Sequence, residues 1–360
     1  MDINEAMAKI KMLNPSQSIN LRGQPGIGKT AGVMQMGMDL GCKKVNVKGK
    51  LIDGIYFQLA CTMDPTDISG TPWGHDLYTD WKPPRWAYEL STDYPEDFPA
   101  ILFFDDLQNG DELVQTAIYR VVHEKACGHY QFRPNVRVMA ASNRAEDRTG
   151  IKEMPTALRN RFLHINIECN VENWCNWAMD NGLYPAIIAY IRTQNQKLNT
   201  FDPKTNEYSF CTPRSWHMAS TCLKDLGGIP EDHLSILAGL IGEGVTAEFV
   251  AFARNTQSIP KPEDILRDPE KAVVPNERQI DILYATVCSV GAYVREHPKK
   301  IENAYRYAKR LIPEFGIILA KDVCRVLLNP ELTDSDTRVS IIQSPIFTEL
   351  TKKWNIYLGA

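Results

Sequence analysis

Apolar residues recur at helical spacing from the start of the chain. Ile3, Met7, Ile10 and Leu13 line one face and predict a short amphipathic helix over 3–13. Residues 15–22 follow as a short strand, more polar than a strand buried in a parallel sheet ordinarily is. Residues 31–40 return to helix and stop at Gly41. Residues 45–63 alternate loosely and hold at least one strand, 55–61. Residues 100–106, Ala-Ile-Leu-Phe-Phe-Asp-Asp, form an apolar strand that ends abruptly in two acids, with a helix following over 111–122. A second apolar strand spans 136–143, and a third, 162–167, comes after a short helix. Strands alternating with helices predict a parallel sheet in an α/β layer fold.

The pattern changes twice. Residues 64–99 are rich in Pro, Gly, Asp and aromatic residues (Trp73, Tyr78, Trp81, Trp86, Tyr88) and read as a long insertion with little regular structure. Beyond residue 170 the strand pattern fades. Trp174, Trp177, Ile187, Tyr190 and Ile191 mark helices, 234–254 is mostly helical, and 277–328 has strong helical periodicity. Between these helices, 256–276 is a Pro- and charge-rich linker.

Composition narrows the classes. At 360 residues, 44% hydrophobic and 23% charged, the chain is globular and long enough for two or three domains. A net charge of -4 argues against a generally basic nucleic-acid surface. The nine cysteines never form C-x-x-C, and no Cys/His cluster has zinc-finger spacing. They read as buried reduced thiols of a cytoplasmic protein. No signal peptide opens the chain, and no apolar run approaches the roughly 20 residues that span a bilayer.

One stretch carries explicit chemistry. Gly23-Gln24-Pro25-Gly26-Ile27-Gly28-Lys29-Thr30 is a complete G-x-x-x-x-G-K-[ST] phosphate loop. Its glycines let consecutive backbone N–H groups face a phosphate. Lys29 brings a point charge to the β- and γ-phosphates, and the Thr30 hydroxyl can ligate Mg²⁺. The helix that follows adds the positive end of its dipole.

Later residues fit the same site. Asp105, at the tip of an apolar strand, can contact Mg²⁺ through a water, and Asp106 can orient or deprotonate the attacking water. Asn143 ends the next strand, where a carboxamide can hold that water; an Asn in a turn is the plainer reading. Arg159 and Arg161 stand two apart at the entry to a strand, where one can reach a neighbouring subunit's site. Arg214 lies at a helix start behind Pro213, a position the dipole disfavours for a cation unless an anion is near. His123, His129 and His164 are too scattered for a metal set, and His217 reads as a helix-surface residue.

In this order the pieces resemble an AAA+ ATPase of the MoxR-like, dynein-related branch. The resemblance covers residues 1–270 and draws on 23–30, 101–106, 136–143, 158–162 and 212–216. Residues 64–72, Gln115, 154–162 and 239–249 also match that branch. It implies a P-loop NTPase αβα sandwich over 1–170, with the 64–99 insertion, then an α-helical lid over 171–255. The 256–276 linker and C-terminal helices over 277–360 complete the chain. It implies ATP and Mg²⁺ as ligands, with Gly23 to Thr30 binding phosphates and Thr30 and Asp105 holding the metal. Asp106 takes the catalytic acid position, Asn143 is sensor-1, Arg161 the arginine finger for the neighbouring subunit, and Arg214 sensor-2. Many such ATPases carry Glu where Asp106 stands, which bears on the turnover rate.

The resemblance further implies a homo-oligomeric ring, usually a hexamer, that remodels or assembles a partner protein. Partners with a von Willebrand-type domain are frequent in the family. Two alternatives stay open at this level: a DNA-associated motor or loader of the same superfamily, and a slow-turnover ATP-binding switch. The aromatic residues of 72–88 either grip a partner or anchor the insertion on its parent domain, and Trp burial favours the second.

Overall fold

The computed structural model describes residues 1–144, 146–147, 154–205, 207–256 and 259–354. The chain divides into two compact units, Met1–Cys169 with Asp202–Asn206, and Asn170–Phe201 with Glu207–Ala360.

The first unit is a parallel sheet between helices. Helix α1 (Ile3–Met12) is capped by Asp2, whose carboxylate accepts from the Glu5 N–H. It leads to strand β1 (Ile19–Arg22) and then α2 (Lys29–Leu40), which ends at Gly41. A short hairpin, β2 (Val45–Val47) and β3 (Lys50–Ile52), precedes β4 (Ile55–Leu59). The remaining sheet strands are β7 (Ala100–Asp105), β10 (Val136–Ser142) and β11 (Leu163–Asn166). Helix α5 (Glu112–Glu124), the small hairpin β8 (Ala126–Cys127) and β9 (Tyr130–Gln131), and the helical turn α6 (Thr156–Arg159) lie between them. The order across the sheet is β11-β1-β10-β7-β4, every pair parallel. This is the αβα phosphate-loop core expected, followed by a helical C-terminal part.

Strand alternation sorts the core into two faces. Ile19, Leu21, Ile101, Phe103, Met139, Ala141 and Ile165 pack with α1 and α2. Ala100, Leu102, Phe104, Val136, Val138 and Ala140 pack with α5, Leu158 and Phe162 on the other. Burial on both faces accounts for the near-continuous apolar runs of β7 and β10.

The stretch 64–99 departs from expectation: it is structured. It holds helix α3 (Pro65–Ser69), an antiparallel hairpin of β5 (Thr71–Gly74) and β6 (Thr79–Lys82), helix α4 (Arg85–Tyr88), and a π-helical turn over Glu89–Asp93. The hairpin escaped detection because all its strand positions are exposed, leaving no apolar alternation to read. At its base Gly70 has φ +84°, and a Cβ there would lie 2.2 Å from the Lys82 carbonyl oxygen. The aromatic residues divide. Trp73 and Trp81 are about half exposed (51% and 43%), whereas Trp86 is 6% exposed, edge-on to Phe104 and Phe132. Glu89 ties the turn down. Lys50 and Arg85 each reach its carboxylate at 2.7 Å and the Tyr56 hydroxyl donates to it. Burial pushes this carboxyl up, and the hydrogen bonds of Lys50, Tyr56 and Arg85 more than reverse the shift.

The second unit is helical: α7 (Val171–Asp180), α8 (Pro185–Thr193), α9 (Pro213–Asp225), α10 (Leu234–Ile241), α11 (Glu243–Asn255), α12 (Pro262–Arg267), α13 (Ile280–Glu296), α14 (Ile301–Arg310), α15 (Pro313–Leu328), α16 (Ser335–Ile342) and α17 (Pro345–Trp354). Tyr190, Trp216, Phe249 and Phe252 form one aromatic cluster. The stretch read as a linker carries α12, whose Ile265 and Leu266 are buried among α13, α14 and α15; residues 257–258 lie outside the described residues. Arg192 of α8 makes a bidentate pair with Asp322 of α15, at 2.9 and 3.1 Å. All nine cysteines are free thiols, six of them buried. Among the described residues no helix is long and apolar enough to cross a membrane.

Candidate functional site

The phosphate loop connects β1 to α2 at the carboxyl ends of the parallel strands, the edge where open α/β sheets bind ligands. Its backbone turns through Gly26 (φ +74°) and Gly28 (φ +95°), in the left-handed region that only glycine enters without strain. Gly28 is the N-cap of α2 and offers no side-chain acceptor, and no acid stands in the helix's first turn. The first N–H groups of α2 therefore have no side-chain cap.

Lys29 opens α2 and is buried, 8% exposed. Its Nζ donates to the carbonyls of Gly23 and Gln24, at 2.7 and 2.8 Å, and to Asn143 Oδ1 at 3.0 Å. A buried cation at a helix start opposes both desolvation and the dipole, so its neighbourhood must supply negative charge or oxygen acceptors. Thr30 Oγ1 donates to Asp105 Oδ2 at 2.6 Å. Asp105 Oδ1 accepts from the Asp106 N–H at 3.0 Å.

Three adjacent strand ends thus meet: the loop after β1, Asn143 after β10 and Asp105 ending β7. Asp106 lies beyond Asp105 with φ 48° and ψ 41°, a left-handed conformation that Asp tolerates better than most residues. That step ends β7 and starts the 3-10 turn Leu107–Asn109. Thr30 and Asp105 present hard oxygen donors side by side, which suits Mg²⁺, an ion that takes one or two protein oxygens and completes its shell with water and phosphate. Among the described residues no group of three His, Cys, Asp or Glu could hold a metal.

The arginine candidates lie elsewhere. Arg161 sits with its Cζ 3.7 Å from the centre of the Tyr119 ring on α5, and donates to the Ala157 carbonyl at 2.7 Å. Its Nε is buried without a partner. Arg159 is exposed and donates to Thr156 Oγ1 at 3.1 Å. Arg214 belongs to the second unit. It is the exposed second residue of α9, behind a capping box in which Thr212 and Ser215 bond reciprocally. His217 is exposed on the same helix, edge-on to Trp177.

Sequence reasoning missed a group of polar residues on β1. Asn20 is 1% exposed in mid-sheet. Its Nδ2 donates to Ser142 Oγ at 3.0 Å, and its Oδ1 accepts from the same hydroxyl at 3.1 Å. The Nδ2 also lies 3.4 Å from His164 Nδ1, and His164 Nε2 lies 2.8 Å from the Arg159 carbonyl. At the strand's entry, Ser18 Oγ donates to the Val122 carbonyl and accepts from Lys125 Nζ at 2.7 Å. Burial, with Arg137 adding repulsion, pushes the Lys125 ammonium down to about 7. The clue was the polarity of 15–22, which is confined to one face of β1.

No family model matches the sequence, and no curated protein matches it. Solved structures align at low similarity. A single-site mutant of RuvB from Thermotoga maritima is 13% identical, over 81% of this chain and 80% of that one, with a TM-score of 0.37. A DNA polymerase III gamma subunit-related protein from Thermotoga maritima is 9% identical, over 99% and 93%, with a TM-score of 0.35. NtrX from Brucella abortus is 13% identical, over 97% and 67%, with a TM-score of 0.38. At such scores no property of those proteins carries to this chain.

Proposed function

We propose that the chain is an ATP hydrolase of the AAA+ type, acting as a ring of identical subunits, a hexamer by the family's habit, to remodel or assemble a partner protein. The observation that carries the reading is the meeting of Lys29 with Asn143 and of Thr30 with Asp105 at adjacent strand ends. A phosphate loop alone speaks for a nucleotide; an acid and a carboxamide beside it supply the parts that hydrolysis needs. The loop backbone and Lys29 bind the phosphates. Thr30 and Asp105 hold Mg²⁺, which when bound neutralises charge on the β- and γ-phosphates. Asp106 and Asn143 orient and activate the attacking water.

In this reading Arg161 serves the neighbouring subunit and Arg214 the nucleotide of its own. Engaging a neighbour takes Arg161 off Tyr119, a cation–π contact of about 0.5–2 kcal/mol, well within what a new bond to phosphate charge returns. Asp106, one methylene shorter than Glu, slows rather than abolishes turnover.

Mass measurement with ATP and Mg²⁺, on the wild type and on Arg161→Ala, tests the reading alongside phosphate release with and without DNA. Nucleotide-dependent oligomers in the wild type, with binding but no hydrolysis in the variant, are expected. A wild type that stays monomeric removes the shared site. DNA-stimulated turnover favours a DNA motor, and binding without turnover under any condition favours a switch.

A further inference from the structure

We propose that Asn20 and His164 are positioning residues that carry the state of the phosphate end of β10 to the arginine-bearing turn 156–161. The proposal rests on the reading of that turn as the donor of an arginine to a neighbouring subunit.

The starting point is a polar pair where an apolar one would be ordinary. Asn20 and Ser142 are buried in the middle of a parallel sheet, 1% and 3% exposed, while Val136, Val138 and Ala140 on the same face of β10 are apolar. A buried amide is tolerated only when its bonding groups are satisfied. Here both are. The Asn20 carbonyl accepts from Ser142 Oγ, one amide proton goes back to that oxygen, and the other points to His164 Nδ1. His164 Nδ1 then acts as acceptor, so the ring proton sits on Nε2 and is donated to the Arg159 carbonyl. The bonds connect β10, β1 and β11, reciprocal between Ser142 and Asn20 and running one way from Asn20 through His164 to the Arg159 carbonyl.

Both ends of this chain of bonds are placed to matter. Ser142 precedes Asn143, which Lys29 holds, and the Ser142 carbonyl accepts the Gly23 N–H at 3.2 Å. A phosphate oxygen competes with Asn143 for the Lys29 ammonium, so phosphate binding alters the hold on this end of β10. At the far end, the Arg159 carbonyl closes the turn that carries Arg159 and Arg161. Arg161 is loosely satisfied there, with its Nε buried and unpartnered. The link between Asn20 and His164, at 3.4 Å, is the long one, so a shift of a few tenths of an ångström changes it most.

Hydrogen exchange of a peptide covering 156–162, with and without a non-hydrolysable ATP analogue and Mg²⁺, tests the coupling directly. In the wild type the analogue is expected to change exchange in this peptide. His164→Gln, whose amide can still donate to the Arg159 carbonyl, keeps the response, and His164→Leu loses it while still binding the analogue. Where hydrolysis is measurable, kcat of His164→Leu falls about two- to thirtyfold, the range that coupling residues modulate, with KM unchanged. A His164→Leu peptide that responds like the wild type overturns the proposal. So does equal loss in His164→Gln and His164→Leu. A wild type that binds the analogue without any turnover removes the ring reading instead, and the exchange comparison alone then decides.

Discussion

Lys29 Nζ and Asn143 Oδ1 are bonded at 3.0 Å, so the cation of the phosphate loop and the carboxamide after β10 hold one another directly. Asn143→Ala takes away an acceptor that competes with phosphate. Nucleotide affinity is therefore expected to stay within about threefold of the wild type, a change below the usual worth of one hydrogen bond to a charged group. If the carboxamide orders the attacking water, kcat falls about a hundredfold, the scale of losing one transition-state hydrogen-bond group. Fluorescent-nucleotide titration and steady-state phosphate release separate the two effects. Equal losses in both would mean that Asn143 only shapes the loop.

The insertion's tryptophans are expected to behave oppositely. Trp86 is buried against Phe104 and Phe132, and its Nε1 donates to the Asp67 carbonyl at 3.1 Å. Trp86→Ala should destabilise the first unit by about 3–5 kcal/mol. Trp81→Ala, at an exposed hairpin position, should change stability by less than about 0.5 kcal/mol. Urea unfolding followed by circular dichroism distinguishes them.

Lys125 makes stability depend on pH. Its folded pKa is about 7, below the 10.5 of an unburied lysine. Between these values the unfolded chain binds a proton that the folded chain does not, so stability rises with pH across that window. Below pH 7 both states are charged and the burial penalty is fully present. Lys125→Met removes the penalty, so its midpoint should lie above that of the wild type at pH 6.5 and converge with it toward pH 10. Thermal melting at several pH values checks this, and parallel curves for the two proteins would refute it.

In the second unit, Arg192 and Asp322 are a buried bidentate pair, with side chains 10% and 1% exposed. Truncating one partner leaves the other charge uncompensated, so Asp322→Ala should cost about 3–5 kcal/mol. Replacing both, Arg192→Met with Asp322→Leu, should recover much of that loss, since the attraction repays little more than the desolvation and Arg325, which also reaches Asp322, keeps Asp180 as its partner. A double-mutant cycle by denaturant unfolding measures the difference.

The sheet and the phosphate site were legible because their residues obey short-range rules. Residues 100–106 are a continuous apolar run and 136–143 one broken only by Arg137, both ending in polar groups, and the loop motif fixes its own geometry through glycine. The hairpin after Gly70 was not legible, since strands exposed at every position show no alternation. Asn20, Ser142 and His164 were hidden for another reason. They come from three strands far apart in the chain, and only parallel pairing brings them together, His164 directly beside Asn20 and Ser142 two residues further along β10. Arg161 belongs between these cases: its motif places it at a strand entry, but its stacking on Tyr119 is a tertiary contact.

The β5–β6 hairpin presents every strand residue to solvent, while the residues that fasten the insertion flank it, Ile68 before and Trp86, Leu90 and Tyr94 after. The hairpin is a sheet of its own and pairs with none of the five parallel strands. A stretch of other chemistry or other length could stand in its place with the parallel strands beneath left as they are.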